Sequence, residues 1–239
     1  KIYPVANYGS ALAPFYSNLA IWVGGIVLIA IFKLEVDEDE NIKNLTPTRA
    51  YFGRWLLYIT VGLLQGLVVC LGDLLLMKIQ CESPPAFIFA GLLASFVYVN
   101  LIYALSVTFK HIGKAICVIL VILQIPGSAG TYPIEMTPGF FQEVHPLLPF
   151  TYGINAMREA VAGIYAAHYV SDLLHLLIFI PVALVIGLGL RPMLLNLNHF
   201  FDRRLSETEM MVSETEGGIK QKKDPISIIA RALAVEGRT

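Results

Sequence analysis

Asp73 is the one acidic residue within the long apolar runs of this chain. A carboxylate at membrane depth is costly, so such a residue marks an ion path, a proton relay or a polar contact between helices. It lies about four residues before its run ends at Met77, close enough for the side chain to reach a headgroup layer. A structural or interfacial role and an ion-coupling role are therefore both open to it. Gln65, Asn100 and Gln124 are further strong hydrogen-bonding side chains inside apolar runs. Facing hydrocarbon, their amides would have no partner, so they are expected to face other helices, either bonding across the bundle or lining a substrate path. Other chemistry is not signalled. The sequence holds no Walker A pattern, metal-ligand cluster, nucleophile elbow or Ser-His-Asp arrangement. Cys70, Cys81 and Cys117 form no C-x-x-C pair, and His111, His145, His168, His175 and His199 are scattered, consistent with loop or interface positions. Neither an enzyme active site nor a cofactor or metal is expected.

The elements that must position these side chains follow from composition. Hydrophobic residues make up 56% of the sequence and charged residues 15%, which favours a bilayer over water as the surrounding solvent. Crossing the hydrocarbon takes about 20 mostly apolar helical residues, because each helical residue rises about 1.5 Å and every backbone amide must be bonded internally. Five stretches qualify: 15–32, 55–77, 86–109, 112–131 and 173–190. The expected fold is all-α and polytopic, with five transmembrane helices. Gly62 and Gly66 form a G-x-x-x-G pattern in the second stretch, and Gly24-Gly25, Gly91/Ser95 and Gly187/Gly189 are further small-residue patches. Such patches permit close packing, either within the bundle or between two copies in a homodimer.

Orientation comes from Lys and Arg, which are retained on the cytoplasmic side. Of the 17 such residues, 14 fall in the loop between the first two stretches, in the turn between the third and fourth, and in the tail; the other side receives Lys1, Lys78 and Arg158. The N-terminus is thus expected outside and the C-terminus in the cytoplasm. The chain begins at Lys1 with no signal-peptide pattern, so an outside N-terminus leads to the expectation of an upstream span or signal. Net charge is −1, which gives no reason to expect nucleic acid as a partner.

The connecting segments carry their own signals. After the acidic run Glu35 to Glu40, Thr46 and Pro47 read as N-cap and first helical residue, opening a helix through Arg49, Tyr51, Phe52 and Arg54. This is either a basic collar on a solvated loop or a docking surface for a cytoplasmic partner. The segment 132–168 contains Pro133, Pro138, Pro146 and Pro149, which forbid one continuous helix. From Thr151, apolar residues recur at helical spacing through Ile154, Met157, Val161 and Ile164. That pattern predicts a short amphipathic helix on the outer surface, or a re-entrant segment dipping into it. Residues 193–239 are expected to begin as a juxtamembrane helix and continue as a largely unstructured cytoplasmic tail, with a short helix at 226–233. Within it, Arg203-Arg204-Leu205-Ser206 resembles a phosphorylation site.

Four groups of residues carry a family resemblance. They are Ile2-Tyr-Pro-Val-Ala-Asn-Tyr-Gly-Ser-Ala-Leu-Ala-Pro-Phe-Tyr16 leading into Trp22-Val-Gly-Gly25; Gly62-Leu-Leu-Gln-Gly66 continuing to Leu71-Gly-Asp73; Leu123-Gln124 with Gly127-Ser-Ala-Gly-Thr-Tyr-Pro-Ile134; and His145-Pro-Leu-Leu-Pro-Phe-Thr-Tyr-Gly-Ile-Asn-Ala-Met-Arg158. Together they resemble the C-terminal membrane domain of the YhgE/Pip (phage infection protein) family over about residues 2–192. That family is similar to ABC-2-type permeases, with one N-terminal span, a large extracellular region and five C-terminal spans, of which this chain would supply the last five.

The resemblance implies an exporter subunit in a bacterial plasma membrane, Gram-positive in type. It would move an envelope component or hydrophobic molecule outward with a separate ABC ATPase. The segment with Thr46, Arg49, Tyr51 and Arg54 would sit where such permeases meet that ATPase. The same resemblance admits a second function: a non-transporting anchor for a large extracellular region, used by phage surface proteins as a receptor or serving a secretion system as EsaA-like proteins do. Fold-level analogy does not by itself separate the two.

Overall fold

A computed structural model describes residues 7–34 and 47–190. Thr46, the acidic run 35–40 and the tail 193–239 lie outside the described residues. Every element within them is helical. Helix α1 (Tyr8–Ile31) opens on Asn7, whose side chain accepts a hydrogen bond from the Ser10 amide, meeting one of the bare N–H groups of the first turn. Helix α2 (Pro47–Leu71) runs on into a π-helical segment, Gly72–Leu76. Helix α3 (Pro84–Gly127) starts on two prolines, tolerated there because first-turn amides need no intrahelical partner.

Four helical stretches among the described residues are long and apolar enough to cross a membrane: Tyr8–Ile31, Thr48–Leu76, Pro84–Gly127 and Ala167–Leu190. Five were expected, and the difference lies in α3. Its 44 residues would reach roughly 66 Å if straight, about twice a hydrocarbon core. They are not straight. Lys110 has φ 49° and ψ −121°, which breaks the helix and reverses the chain. Ser106 Oγ and Cys117 Sγ lie 4.0 Å apart, where an unbroken helix would separate their positions by roughly 16 Å. Gly113 lies against the Leu105 backbone so closely that a Cβ would overlap the carbonyl. The element is therefore a hairpin of two apolar arms, 84–109 and 111–127, matching the third and fourth expected stretches except that helix ends at Gly127 and not at 131.

Beyond Gly127 the prolines act as expected. They divide the chain into a 3-10 turn (Ile134–Met136), helix α4 (Gly139–Val144), a second 3-10 turn (His145–Leu147) and helix α5 (Pro149–Ala162). Helix α6 (Ala166–Leu177) follows, then α7 (Phe179–Leu184) with a π-helical end, Val185–Leu190. The spacing of 151–164 is compatible with a helix lying on the outer surface or with one dipping inward. In the structure α5 packs against α1, α3 and α6, and Phe150, Ile154, Ala156, Met157 and Ala160 have no exposed surface. Glycine and alanine fill the faces that spacing alone would assign to water, which allows neighbours on several sides.

The first arm of α3 is the centre of the bundle, buried on nearly every side, while α2 and the last helices expose apolar side chains such as Leu64, Val68, Leu75, Leu174 and Val182. Packing inside and apolar residues outside is the arrangement of a helix bundle surrounded by lipid. The alternation of helices leaves two ends. Lys33, Arg49, Arg54, Lys110 and Lys114 lie at one; Lys78 and Arg158 are the described cations at the other.

Candidate functional site

Asn18, Gln65, Asn100 and Gln124 each make a hydrogen bond to a neighbouring helix. Asn18 of α1 is fully buried; its Nδ2 donates to the Pro14 carbonyl (2.7 Å) and toward Met157 Sδ (3.1 Å), and its Oδ1 accepts from the Tyr98 hydroxyl (2.6 Å). Tyr98, Trp22 and Phe150 pack around it with ring centroids 5.3 to 5.6 Å apart, and the Trp22 indole donates to the Cys117 carbonyl at 3.2 Å. One side-chain cluster thus ties α1, both arms of α3 and α5 together. A Cβ at Gly153 would overlap Asn18 and the Tyr98 hydroxyl, so only glycine lets α5 approach.

Gln124, also fully buried, accepts from the Phe150 amide at 3.3 Å, filling a bare donor at the start of α5. Its Nε2 and the Ser128 hydroxyl are buried without a hydrogen-bond partner. Asn100 accepts from the Trp55 indole (2.7 Å) and donates to the Phe96 carbonyl (2.7 Å), joining α2 to α3. Gln65 lies over Gly24 and donates to the Ala20 carbonyl at 3.3 Å, joining α2 to α1. The Asp73 carboxylate accepts a short hydrogen bond from Ser17, whose hydroxyl also lies 2.7 Å from the Ala13 carbonyl. Asp73 is therefore a clasp between α1 and the π-helical end of α2. These four residues meet different neighbours and do not form one site.

Gly62 and Gly66 sit on the first arm of α3. A Cβ at Gly62 would come within 2.6 Å of Val99, and one at Gly66 within 2.7 Å of Ser95. Ser95 Oγ donates to the Gly62 carbonyl at 2.6 Å. Gly91, one turn away, receives Cys70. The close approach that these small residues permit is used within the chain.

At the cationic end, Arg49 is exposed and Arg54 partly so. Tyr51 between them is buried, with its ring 5.1 Å from that of Tyr103, and its backbone carbonyl accepts from the Tyr103 hydroxyl at 3.0 Å. The Tyr58 ring packs tilted against that of Tyr103, centroids 4.9 Å apart, and its hydroxyl donates to the Phe32 carbonyl at 2.9 Å. The Tyr51 hydroxyl occupies the space that a Cβ on Gly187 would need, and Thr108 donates to the Ile186 carbonyl at 3.0 Å. The opening turns of α2 are thus joined to α1, to α3 beside its break and to the last helix.

At the opposite end, the Gln80 amide donates to Ser10 Oγ (2.8 Å) and the Asn7 amide to Gln80 Oε1 (2.8 Å). The Ser83 amide donates to the Ala160 carbonyl (3.0 Å) and Tyr169 to the Ala86 carbonyl (2.8 Å). His145 Nδ1 lies 2.6 Å from the Gly127 carbonyl. A carbonyl only accepts, so this nitrogen carries the proton. Arg158 Nη2 donates to the Ala129 and Gly130 carbonyls at 2.7 and 2.6 Å, just past the end of α3. Burial pulls the Arg158 pKa below its ordinary value, and burial pushes the Cys81 thiol above its own.

Reading the sequence missed Asn18 and Arg158. The first was detectable by the same rule that singled out Gln65, since Asn18 is an amide inside an apolar run. The second carried no local signal: its partners lie about 28 residues earlier, and the contact exists only once α5 docks.

Comparison with known proteins bears on the whole bundle. The family described as ABC-2 family transporter protein matches residues 2–188, which include all the described contacts apart from those of the last two residues. The "Uncharacterized protein YhgE" of Bacillus subtilis (strain 168) is 32% identical over 162 residues, 68% of this chain and 20% of that protein. The chain spans about one fifth of the length of this curated relative. No solved structure matches. An all-helical bundle with a lipid-like exterior and polar contacts turned inward is what a multi-pass membrane protein requires, and the chain belongs to the ABC-2 family of transporter proteins as a YhgE-like, permease-type membrane domain.

Proposed function

We propose that this domain is the membrane permease part of an exporter, moving an envelope component or hydrophobic molecule out of a Gram-positive bacterial cell. A separate ABC ATPase supplies the energy. The observation that carries this reading is the join at Tyr51. Arg49 and Arg54 present charge outward from the first turns of α2, while Tyr51 between them is held by Tyr103 and by Gly187 of the last helix. A push on the two arginines would be passed by close packing to α3 and to the last helix, because packed interiors rearrange between discrete states and do not absorb small shifts. The segment with Thr46, Arg49, Tyr51 and Arg54 is accordingly the ATPase-coupling segment, with the cationic end in the cytoplasm. Gln65, Asp73, Asn100 and Gln124 hold the helices in register around whatever path opens.

The test is copurification and flux. An ATPase encoded by the same cell should copurify with the full-length protein and be lost in Arg49→Glu/Arg54→Glu, with substrate efflux falling in parallel. Efflux that continues unchanged after ATP depletion would defeat the proposal.

A further inference from the structure

A cleft of about 380 Å³ opens beside Arg158, lined also by Ala129, Thr131, Tyr132, Ile134 and Glu135 among others. Two carbonyls hold one guanidinium nitrogen, Nη2. The other two nitrogens have three N–H donors with no acceptor among the described residues, and no described carboxylate pairs with this cation. The fork is thus held at one nitrogen by the end of α3, and Arg158 itself lines the cleft. A guanidinium presents a planar, two-pronged donor set that matches phosphate oxygens.

Two further observations narrow the ligand. The chain continuing from the cleft wall exposes Tyr132, Met136, Phe140 and Leu147, at the end of the bundle where apolar and aromatic side chains would meet the boundary between headgroups and acyl chains. Glu135 lines the same cleft as Arg158. A second negative charge beside the ligand disfavours a dianion and favours a singly charged phosphodiester that also carries hydroxyl or ammonium donors. We propose that this cleft binds the phosphodiester headgroup of an amphiphile, with its phosphate on Arg158 and its apolar part along Ile134 and the exposed side chains of 132–147. The site does not depend on export: it needs only that this end of the bundle lies at a bilayer surface.

The test uses the full-length protein in dodecyl maltoside micelles, which carry no phosphate. Dioctanoyl phosphatidylglycerol is titrated and bound copies are counted by native mass spectrometry, with dioctanoylglycerol and glycerol 3-phosphate as the two comparison probes. Both comparison probes should bind at least tenfold more weakly than the phospholipid. Arg158→Gln should weaken phospholipid binding at least tenfold. Thr131→Glu should do the same by adding charge at an exposed position of the cleft, leaving the carbonyl bonds of Arg158 untouched. Phospholipid affinity within twofold of the parent in Thr131→Glu, or in a folded Arg158→Gln, would overturn the site. Dioctanoylglycerol binding as tightly as the phospholipid would remove the role of phosphate. Glycerol 3-phosphate binding as tightly would overturn the assignment to an amphiphile.

Discussion

At the scale of single residues, the bundle depends on a few polar side chains that have no alternative partner in hydrocarbon. Tyr98 and Asn18 are the clearest pair, fully buried and 2.6 Å apart. Removing the hydroxyl in Tyr98→Phe leaves an amide oxygen unpaired, which should destabilise the protein by about 0.6 to 1.7 kcal/mol. Thermal unfolding in detergent reads this, and a double mutant with Asn18→Leu should lose less than the sum of the single changes. Cys81 gives a second check. Its thiol donates toward the Ala160 carbonyl at 3.3 Å, and burial raises its pKa. Since the thiolate is the reacting form, less of it is present at neutral pH than for an open thiol. Maleimide labelling of Cys81 should therefore keep rising with pH after an exposed reference cysteine has levelled off; a profile that levels off with the reference would argue against the burial described. At this scale sequence reading goes only part of the way: that Gln65, Asn100 and Gln124 must bond inward follows from solvation alone, but which helix each one meets does not.

At the scale of elements, close approach decides which helices can be neighbours. Gly62 and Gly66 let α2 lie on Val99 and Ser95, so Gly62→Val should force the helices apart at a cost of about 1 to 3 kcal/mol. Leu64→Val, at an exposed position two residues on, should have little effect. The comparison of their unfolding midpoints separates packing from a general loss of helix propensity. Gly187→Ala should shift the Tyr51 ring, and the expected readout is a change in any ATPase-dependent activity larger than the change in melting temperature. The apolar runs were legible because hydrocarbon demands about 20 such residues whatever surrounds them. Which of the two placements open to α5 it takes was not, because Gly153, Ala156 and Ala160 carry too little hydrophobicity to mark a face, yet their small size is what allows α1 and α3 to close in.

At the scale of the whole molecule, charge is segregated between the two ends of the bundle, and that segregation rather than any single contact sets how it would lie in a membrane. Five of the seven described Lys and Arg residues share one end. On a background without native cysteines, Tyr132→Cys should react with an impermeant maleimide applied to intact cells, while Gly53→Cys, in a position with open space around it, should react only after permeabilisation. The reverse pattern would invert the orientation proposed here and the coupling role of Arg49 and Arg54 with it. The same segregation was readable directly from the positions of Lys and Arg. The break between the third and fourth stretches was legible too, since the apolar run stops at Phe109 and resumes at Ile112; that Lys110 alone suffices to turn the chain round was not.

That reversal at Lys110 has a consequence for how the protein is made. With only one residue between arms 84–109 and 111–127, there is no loop to rest in water while the insertion machinery handles one arm alone. The two arms should leave the translocon together as a preassembled pair. Ribosome-stalled chains ending just after residue 110 should hold the first arm in the translocon, and Lys110→Pro, which cannot adopt φ 49°, should trap the pair before it folds.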